Sequence, residues 1–372
     1  MKMNSLDTII KLHLIKYPAM EIGDIVKLIY QSEFGGGHLI ENPRLSYEQI
    51  LEELSGLPKV SDSALEDLGE SLCRIYLGPL RAIFDNDPII AGVLNAIFVE
   101  SASLFKGNLQ SYYEKLDILL NLIKNKELET LCIYEESYRW VSDYPFSEKY
   151  INSHKNAGCP MLRHSESYRA KYQPSYRVAL NEFARYLALF EKFENMLKEK
   201  NCLIVAIDGN CGSGKSTLAK IISSVYNCPV IKMDDFFLPE NLRTEERLTE
   251  PGGNVHYERF IEEVLLPLSQ GKKIFSHKVF DCNTMAYASE LKEILFSNIV
   301  VIEGSYSMRP EFRNTYDISI FLDATPPVQK SRILGRNGEI NYKMFESRWI
   351  PMENRYFEHF NIADACDIVY KA

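Results

Sequence analysis

One segment of the chain reads Gly209-Asn210-Cys211-Gly212-Ser213-Gly214-Lys215-Ser216 and continues with Thr217. It fits the pattern G-x-x-x-x-G-K-[ST], in which glycines let the backbone fold around a phosphate group. The apolar run 203–207 precedes the segment, and the helical sequence 217–226 follows it. A strand, a glycine-rich turn and a helix in this order predict an α/β domain built on a phosphate-binding loop.

The residue types of this loop indicate how it binds a nucleotide. Backbone N–H groups at the start of a helix attract an anion, and the helix dipole adds to that attraction. We therefore expect residues 209–217 to bind the phosphates of ATP, with Lys215 at the terminal phosphates and the Ser216 hydroxyl as a ligand of Mg²⁺. The chain after the loop lacks the Asn-Lys-x-Asp element that binds guanine in Ras-type GTPases, so we do not expect GTP as the nucleotide.

Acidic residues follow two further apolar runs in the same half. Asp234 and Asp235 come directly after the run 229–233, and Glu303 comes after the run 299–302. Ligands of a parallel sheet bind beyond the carboxyl ends of its strands, so these carboxylates should lie near the loop. We expect Asp234 to take the proton of an attacking hydroxyl and Glu303 to hold Mg²⁺. Asp235 is the expected cap of the next helix.

The apolar run 318–322 leads through Asp323 into a segment that carries basic residues. Arg332 and Arg336 are four residues apart and share one face of the predicted helix. Cationic side chains on such a lid close over a phosphoryl group in transfer and exclude water. We favour these two arginines over Lys330 for that role, and a solvated basic helix face is the open alternative.

The composition limits the classes of protein. The 372 residues are 46% hydrophobic and 25% charged, which is ordinary for a globular protein. A formal net charge of −9 argues against nucleic acid as a partner. The 8 cysteines include no C-x-x-C pair, so we expect reduced thiols in a cytoplasmic protein. Because no uninterrupted apolar run of about 18 residues occurs, we expect no membrane span.

The two halves of the chain differ in pattern. Residues 1–200 show apolar residues at helical spacing, whereas residues 201–372 alternate short apolar runs with helical segments. The first pattern predicts a mainly α-helical domain of unknown function, and the second predicts a parallel sheet covered by helices. We place the boundary at the end of a long helix, expected after Pro174, whose apolar stripe runs from Val178 to Leu197.

The motifs of residues 202–372 occur in the order GNCGSGKSTLA, MDDFFLPE, VIEGSY, ISIFLDA with an arginine-bearing helix, and CDIVY. This order resembles the uridine kinase, nicotinamide riboside kinase and phosphoribulokinase group of P-loop kinases. The resemblance covers slightly under half of the chain. It implies that Asp234 is the catalytic base, that Glu303 is the acid after the Walker B strand, and that Arg332 and Arg336 are the lid arginines.

The resemblance ends where an acceptor would be recognised. Uridine kinases carry a Tyr-Asp-Phe element followed by His and Arg, whereas this chain has Phe280-Asp281-Cys282 and then Met285 and Tyr287 where cations are expected. We therefore do not expect uridine to be the preferred acceptor. The polar stretch 238–254 is the expected mobile substrate loop. The residues expected around the acceptor are Phe237 and Asp281, with Asn283 and Tyr287 offering hydrogen bonds of unknown purpose. Tyr257, Arg259 and Arg348 are further candidates, for which a packing or surface role is the alternative.

The helical half contains two groups of residues whose side chains could bind a ligand, but neither group identifies a function. The members of a candidate metal site are His38, which follows three glycines, His164, Glu33 and Glu166. The members of a candidate anion site are Arg163, Arg169 and Arg177, for which an ion-pair network with carboxylates is the alternative.

These features favour a cytoplasmic, Mg²⁺-dependent phosphotransferase that moves the γ-phosphoryl group of ATP to a hydroxyl of a small molecule, with a nucleoside as the first choice. A nucleotide-dependent switch or regulatory protein without a small-molecule acceptor is the alternative. The sequence identifies neither the acceptor nor the role of the helical domain. It also leaves the oligomeric state open, a homo-oligomer included.

Overall fold

The computed structural model of the protein describes residues 5–37, 40, 42–69, 71–84, 86–132, 134–282, 284–295 and 298–371. The chain divides into two units, Met1–Glu191 and Lys192–Ala372. The division falls within the helix Leu187–Glu199, and the boundary predicted from the sequence lies at the end of the same helix.

The first unit is mainly helical, as predicted, and also contains a small sheet. Its elements in chain order are α1 (Leu6–Lys16), α2 (Ile22–Phe34), α3 (Pro43–Gly56), β1 (Leu65–Gly69), β2 (Leu72–Tyr76), α4 (Leu77–Ile83), α5 (Asp87–Leu104), α6 (Leu109–Lys124), α7 (Glu135–Ser142), α8 (Tyr144–Asn156), α9 (Glu166–Tyr172), β3 (Tyr176–Leu180) and α10 (Asn181–Ala184). The three strands pair antiparallel in the order β1-β2-β3.

The prediction of a long helix after Pro174 is wrong for the first part of that segment. Residues 176–180 form strand β3, which pairs along its whole length with β2, and helix α11 (Leu187–Glu199) begins only later. Val178 of the predicted stripe is a strand residue opposite Arg74. The Tyr-Arg-Val sequence at the start of β3 suits a pleated, half-buried strand, and pairing with β2 satisfies its backbone groups.

Helix α5 is long and apolar enough, by length and composition, to cross a membrane, and 44% of it is buried inside the unit. Among the described residues it is the one helix that meets this test. The core helix of a soluble protein meets the same test, so this is weak evidence for a span.

The second unit is an α/β domain. Its elements in chain order are β4 (Leu203–Gly209), α12 (Lys215–Tyr226), β5 (Val230–Lys232), α13 (Glu245–Thr249), α14 (Tyr257–Phe260), α15 (Leu266–Ser269), β6 (Ile274–Asp281), β7 (Ala286–Leu295), β8 (Ile299–Glu303), β9 (Ile318–Asp323), α16 (Pro326–Met344), α17 (Ile350–Phe360) and β10 (Ile368–Lys371). Five of the strands form a parallel sheet in the order β10-β9-β4-β8-β5. The parallel sheet predicted from the five apolar runs is confirmed.

The strands of this sheet are buried because their apolar side chains pack into a continuous core. All five residues of β8 are buried, and its Val300 and Ile302 share a cluster with Ile231 of β5. Tyr356 of α17 and Phe236, just after β5, also belong to that cluster. The helices on the sheet therefore hold the strand ends in place.

The sheet register determines which residues meet at its carboxyl edge. Glu303, the last residue of β8, is level with Ile207 of β4 and with Lys232 of β5. Asp234 follows β5 within a short 3₁₀ turn, Met233–Phe236. The loop after β4 and the acidic residues after β5 and β8 thus leave the sheet at one edge, where ligands of such sheets bind.

Two features of this unit differ from the sequence expectation. An antiparallel hairpin, β6 and β7, stands apart from the parallel sheet and pairs Phe280 with Tyr287. The predicted basic helix, α16, is interrupted at Gly338, where φ is 75°. Glycine takes this left-handed conformation without steric cost, and the helix continues on the far side.

Candidate active site

The loop between β4 and α12 requires three of its glycines. The φ angles of Gly209, Gly212 and Gly214 are 142°, 74° and 101°, a region that side chains disfavour. A Cβ atom on Gly209 would lie 2.1 Å from the carbonyl oxygen of Leu322. The tight backbone path, with α12 beginning at Lys215, is therefore available only to this glycine pattern.

Side chains of the loop attach it to the strand and helix that follow later in the chain. The Asn210 Oδ1 accepts a hydrogen bond from the Ala324 N–H at 3.0 Å. The Gln329 Nε2 donates to the Cys211 carbonyl oxygen at 3.1 Å and to its Sγ at 3.2 Å. The hydroxyl of Ser213 is buried and has no hydrogen-bond partner among the described residues.

Lys215 and Ser216, the first residues of α12, contact the loop and the neighbouring strand end. The Lys215 Nζ donates to the carbonyl oxygens of Gly209 and Asn210 at 2.7 and 2.8 Å, so its charge lies over the loop. The Ser216 Oγ donates to the carboxylate of Glu303 at 3.2 Å. A hydroxyl beside a carboxylate is the oxygen-only donor set that Mg²⁺ prefers, so these two residues fit the metal predicted from the sequence.

Burial and neighbouring charges raise the pKa of two carboxyl groups at this edge. Burial raises the pKa of Glu303, and the charge of Lys215 partly offsets the effect. Burial also raises the pKa of Asp234, again offset by Lys215 and reinforced by Asp235. The side chain of Asp234 is open to solvent yet closely surrounded by protein. The charge of Asp234 adds to the rise in the pKa of Glu303.

Asp235 does not cap a helix, contrary to the sequence expectation. Its carboxylate pairs with the Nε2 of His277 at 3.1 Å and lies 3.6 Å from the Nζ of Lys292. Both partners belong to the β6–β7 hairpin, and His277 is fully buried. Asp235 therefore fixes the 3₁₀ turn to the hairpin, and the adjacent Asp234 is directed to the sheet edge.

Of the two predicted lid arginines, the structure brings one to the phosphate loop. The Arg332 Nη1 donates to the carbonyl oxygens of Gly212 and Ser213 at 3.3 Å. Arg336 is exposed, and its Nε donates to the neighbouring Asn337 Oδ1 at 2.7 Å. Arg336 thus faces solvent one turn further along α16.

The residues expected around the acceptor lie in two environments, and those described first lie on or against the β6–β7 hairpin. The Phe237 ring lies 6.1 Å from that of Phe280 in an edge-on contact, three residues from Asp234. The Asp281 carboxylate, at the end of β6, accepts a hydrogen bond from the Thr284 hydroxyl at 3.1 Å. Asn283 lies outside the described residues. The Tyr287 hydroxyl bonds to the Nδ1 of His256 at 2.6 Å.

Tyr257 lies in a different environment from these residues. Its ring is held between the guanidinium groups of Arg247 and Arg309, whose central carbons are 3.9 and 4.0 Å from the ring centre. Its hydroxyl accepts from Arg247 at 2.6 Å. Arg247 also bonds both carboxylate oxygens of Glu258, so the contacts recorded for Tyr257 are structural. Stretch 238–254, expected to be a mobile loop, contains helix α13 and, within it, Arg247.

Sequence reasoning missed two acidic residues at the site. Asp208, next to the loop, is fully buried and accepts from the Met308 N–H and the Tyr356 hydroxyl. Glu353 of α17 accepts from the Cys211 N–H at 2.9 Å and from the Ser305 hydroxyl at 2.7 Å. Asp208 could have been found from the sequence, because it follows an apolar run just as Asp234 and Glu303 do. No local pattern connects Glu353, in a distant helix, to the loop.

The candidate sites of the helical half are not assembled as expected. His164 bonds to Asp24 at 2.8 Å and to the Tyr176 hydroxyl at 2.6 Å, and burial lowers its pKa to about 4. Glu33 pairs with Lys115 at 2.7 Å. His38 lies outside the described residues, and among the described residues no group of three or more His, Cys, Asp or Glu is placed to hold a metal ion.

Of the three arginines of the candidate anion site, one is engaged by a carboxylate, which is the alternative given for it. Arg177 gives two hydrogen bonds to the carboxylate of Glu53, at 3.1 and 2.9 Å, so a carboxylate already neutralises it. Arg163 and Arg169 are exposed. Arg74, on β2, is a fully buried cation of this unit and donates to Glu66 and Gln31.

A five-stranded parallel sheet, a glycine-rich loop entering a helix, and carboxylates after two neighbouring strands define the P-loop kinase type of α/β domain. Comparison with known proteins agrees with this class. The chain is 28% identical over 148 residues to a uridine kinase of Schizosaccharomyces pombe, a match over 37% of this chain and 32% of that protein. It is 27% identical over 164 residues to a cytidylate kinase of Clostridium perfringens, covering 38% of this chain and 75% of that one. The chain is thus a distant homologue of uridine kinases over little more than a third of its length.

Family models and solved structures provide two further comparisons. No family model matches the chain. A solved structure described as a possible uridine kinase from Bacillus stearothermophilus aligns with 49% of this chain and 99% of its own, at 20% identity and a TM-score of 0.38.

Proposed function

We propose that the protein is an ATP-dependent kinase that transfers the γ-phosphoryl group to a hydroxyl of a small molecule, with a nucleoside as the first candidate. The observation that carries the proposal is the position of Asp234: its side chain is exposed and it follows β5 at the edge of the sheet where Glu303 ends the neighbouring strand β8. A protein that only binds or hydrolyses ATP as a switch has no need of a carboxylate facing an acceptor. A kinase needs one to orient and deprotonate the hydroxyl.

The proposed reaction assigns one task to each group at the sheet edge. The acceptor oxygen forms a bond to the γ-phosphorus while the bond from that phosphorus to the oxygen it shares with the β-phosphate breaks. The acceptor proton passes to Asp234, whose raised pKa makes it a stronger base than an ordinary aspartate. Lys215 and Arg332, which both bond to carbonyl oxygens of the loop, would offset the charge that develops on the phosphates. Mg²⁺, held by Ser216 and Glu303, would neutralise part of the phosphate charge.

The choice of a nucleoside rests on the relatives, which are named uridine kinase and cytidylate kinase. Within the acceptor region, the hydroxyl of Tyr287 is already bonded to His256, and Met285 has no polar group. A site without suitable hydrogen-bond partners discriminates weakly, so uridine itself is not the expected preference.

The test is acceptor-dependent release of ADP, measured over a panel of nucleosides, sugars and amino-acid alcohols. Asp234→Asn should bind Mg-ATP as the wild type does and should lose a factor of about 10² to 10⁴ in turnover. Lys215→Ala should lose turnover altogether, because it removes the cation at the phosphates. Asp364→Asn, an exposed aspartate of the same unit, is the control and should be fully active.

Two results would count against the proposal. Full acceptor-dependent turnover by Asp234→Asn removes that carboxyl from the mechanism. Binding of ATP without stimulation by any acceptor of the panel favours the nucleotide-dependent switch.

A further inference from the structure

The 3₁₀ turn Met233–Phe236 directs two adjacent carboxylates to different sides. Asp234 is exposed, and its carboxylate has no hydrogen-bond partner among the described residues. Asp235 is buried, with 7% of its surface exposed, and its carboxylate faces the β6–β7 hairpin. The base of the proposed reaction is therefore free to meet a ligand, whereas its neighbour is enclosed by protein.

His277 of β6 holds the enclosed carboxylate. Its Nε2 lies 3.1 Å from the Asp235 Oδ2, and its ring stacks on that of Phe236 at 5.2 Å. Beside a carboxylate the Nε2 of a neutral ring carries the proton and donates, so the other ring nitrogen, Nδ1, is an acceptor. That Nδ1 is buried and has no hydrogen-bond partner among the described residues. The one hydrogen bond recorded for this side chain therefore goes to Asp235.

A histidine is costly at this position, which indicates that its hydrogen bond is needed. The side chain is fully buried, and a buried polar atom without a partner destabilises the fold. A phenylalanine would fill the same space against Phe236 and would leave no unpaired nitrogen. The imidazole of His277 therefore serves the carboxylate of Asp235 and not the packing alone.

Two further cations fix the same aspartate. The Lys292 Nζ, on β7, is 3.6 Å from the Asp235 Oδ2 and donates to the main-chain carbonyl oxygen of Val230 in β5 at 3.1 Å. The Arg259 Nη2, on α14, donates to the main-chain carbonyl oxygen of Asp235 itself and, at 3.1 Å, to that of Lys278 on β6. Both the side chain and the main chain of Asp235 are therefore held in place.

The same hairpin borders the region where the acceptor is expected. Phe280, near the end of β6, contacts Phe237 directly after the turn, and Asp281 follows it. The hairpin thus contacts the chain that follows the base at two points, through His277 and through Phe280. An acceptor bound against the hairpin and the base on the turn are then held by one set of contacts.

We propose that Asp235 and His277 are positioning residues of the phosphoryl transfer, which aim the Asp234 carboxylate at the hydroxyl of an acceptor bound beside the hairpin. The inference rests on the proposed kinase function. It gives the hairpin a second task besides bordering the acceptor, because the hairpin also holds the base in the orientation that the reaction needs. Loss of this support should lower kcat and leave nucleotide binding unchanged.

The test measures acceptor-dependent release of ADP, with the compound of the panel that the wild type phosphorylates fastest. Asp235→Asn and His277→Phe should each lower kcat by about 10- to 100-fold, because a misplacement of about 1 Å costs up to that factor. KM for ATP should stay at the wild-type value. His277→Gln, whose side-chain amide can still donate to Asp235, should recover part of the lost kcat.

The pH profile gives a readout that a merely structural residue would not move. Burial raises the pKa of Asp234, and the charged groups that act on it are Lys215, Asp235, Lys232 and Glu353. Asp235→Asn removes a neighbouring negative charge, so the pKa of Asp234 falls and the acid limb of kcat/KM moves to lower pH. Ser276→Ala, at an exposed position next to His277, is the control and should change neither kcat nor the profile.

The outcomes separate this inference from the kinase proposal. Wild-type kcat in Asp235→Asn or in His277→Phe overturns the positioning role and keeps the kinase, as does an acid limb that stays in place in Asp235→Asn. Equal losses in His277→Gln and His277→Phe, or a rise in KM for ATP, also overturn it, because the pair then supports the structure or the nucleotide. Should His277→Phe fail to fold by circular dichroism, Asp235→Asn, which keeps the size of the side chain, decides. No turnover of any compound by the wild type overturns both proposals.

Discussion

Asp208 is a fully buried carboxyl group in contact with the phosphate loop, and its protonation is linked to folding. Burial raises its pKa to about 6 from 3.8, although the N–H groups of Gly209 and Met308 and the Tyr356 hydroxyl stabilise the charge. The folded state therefore holds a proton more tightly than the unfolded chain. Stability that Asp208 contributes when protonated is lost as pH rises from about 4 to about 6.

We predict that ionisation of Asp208 lowers the free energy of unfolding by about 3 kcal/mol as the pH rises from about 4 to about 6. The magnitude follows from a difference of about two units between the pKa values of the folded and unfolded states. Urea unfolding of the wild type and of Asp208→Asn at several pH values measures the change. The difference in stability between them should vary between pH 4 and pH 6 and be constant above pH 7. A difference that is constant over the whole range contradicts the raised pKa.

Individual site residues could be predicted where a local pattern marks them. Lys215 and Ser216 belong to a motif of fixed spacing, and Asp234 and Glu303 each follow an apolar strand. Ser305 could not be assigned in this way, because its hydroxyl acts through a carboxylate that lies 48 residues further along the chain. Contacts of that kind depend on how helices pack, which one sequence does not record.

At the scale of elements, helix α17 is attached to the phosphate loop at two points. Glu353 accepts from the Cys211 N–H, and Tyr356, one turn later, donates to Asp208 before the loop. Residues three apart on a helix share a face, so both contacts come from the side of α17 that packs on the sheet. Helix α17 therefore positions the loop on which ATP is expected to bind.

We predict that Glu353 is a positioning residue whose loss affects nucleotide binding before chemistry. Glu353→Ala removes an acceptor from a loop N–H and from Ser305, each bond to a charged group being worth about 1.5–3 kcal/mol. KM for ATP should rise by about tenfold or more and kcat should change less. Glu353→Gln, which can still accept one of these bonds, should restore part of the affinity.

The control for this prediction is Glu358→Gln, an exposed glutamate on the same helix. It should leave KM for ATP unchanged. A fall in kcat with KM for ATP unaltered in Glu353→Ala would place the residue in the chemical step instead.

The strands of the parallel sheet could be predicted from the sequence, whereas the antiparallel strands could not, because the two kinds of strand differ in burial. Strands β4 and β8 are buried on both faces, so they are continuous apolar runs such as 203–207 and 299–302. The β6–β7 hairpin has exposed polar residues along both strands, and its pattern does not differ from that of a polar connection. Strand β3 begins with tyrosine and arginine at partly buried positions, so it is not a continuous apolar run either.

At the scale of the whole molecule, the two units should respond differently to ligands and to mutations. The first unit encloses Arg74 against Glu66 and Gln31, and the second contains the nucleotide loop. Each has its own core, so we predict two transitions in calorimetric unfolding. Mg-ATP at a hundred times its Kd stabilises the unit that binds it by about 2.7 kcal/mol. That unit's Tm should then rise by roughly 5–10 °C.

Two variants assign the transitions. Lys215→Ala should abolish the shift caused by Mg-ATP and leave both midpoints without ligand nearly unchanged. Arg74→Met leaves the buried Glu66 carboxylate without its guanidinium partner and should lower the other transition, since breaking such a pair costs about 3–5 kcal/mol. A single transition that shifts as a whole with Mg-ATP contradicts the prediction.

The contact between Gln329 and Cys211 has a consequence for oxidative chemistry. The Cys211 sulfur is partly buried and accepts a hydrogen bond from the Gln329 Nε2, and burial raises its pKa to about 12. At neutral pH only about one molecule in 10⁵ carries the thiolate that peroxide and alkylating agents attack. Cys282 also has a raised pKa, but its side chain is exposed to reagents in solution. Mild oxidation should therefore modify the protein at Cys282 and leave the sulfur of the nucleotide loop intact.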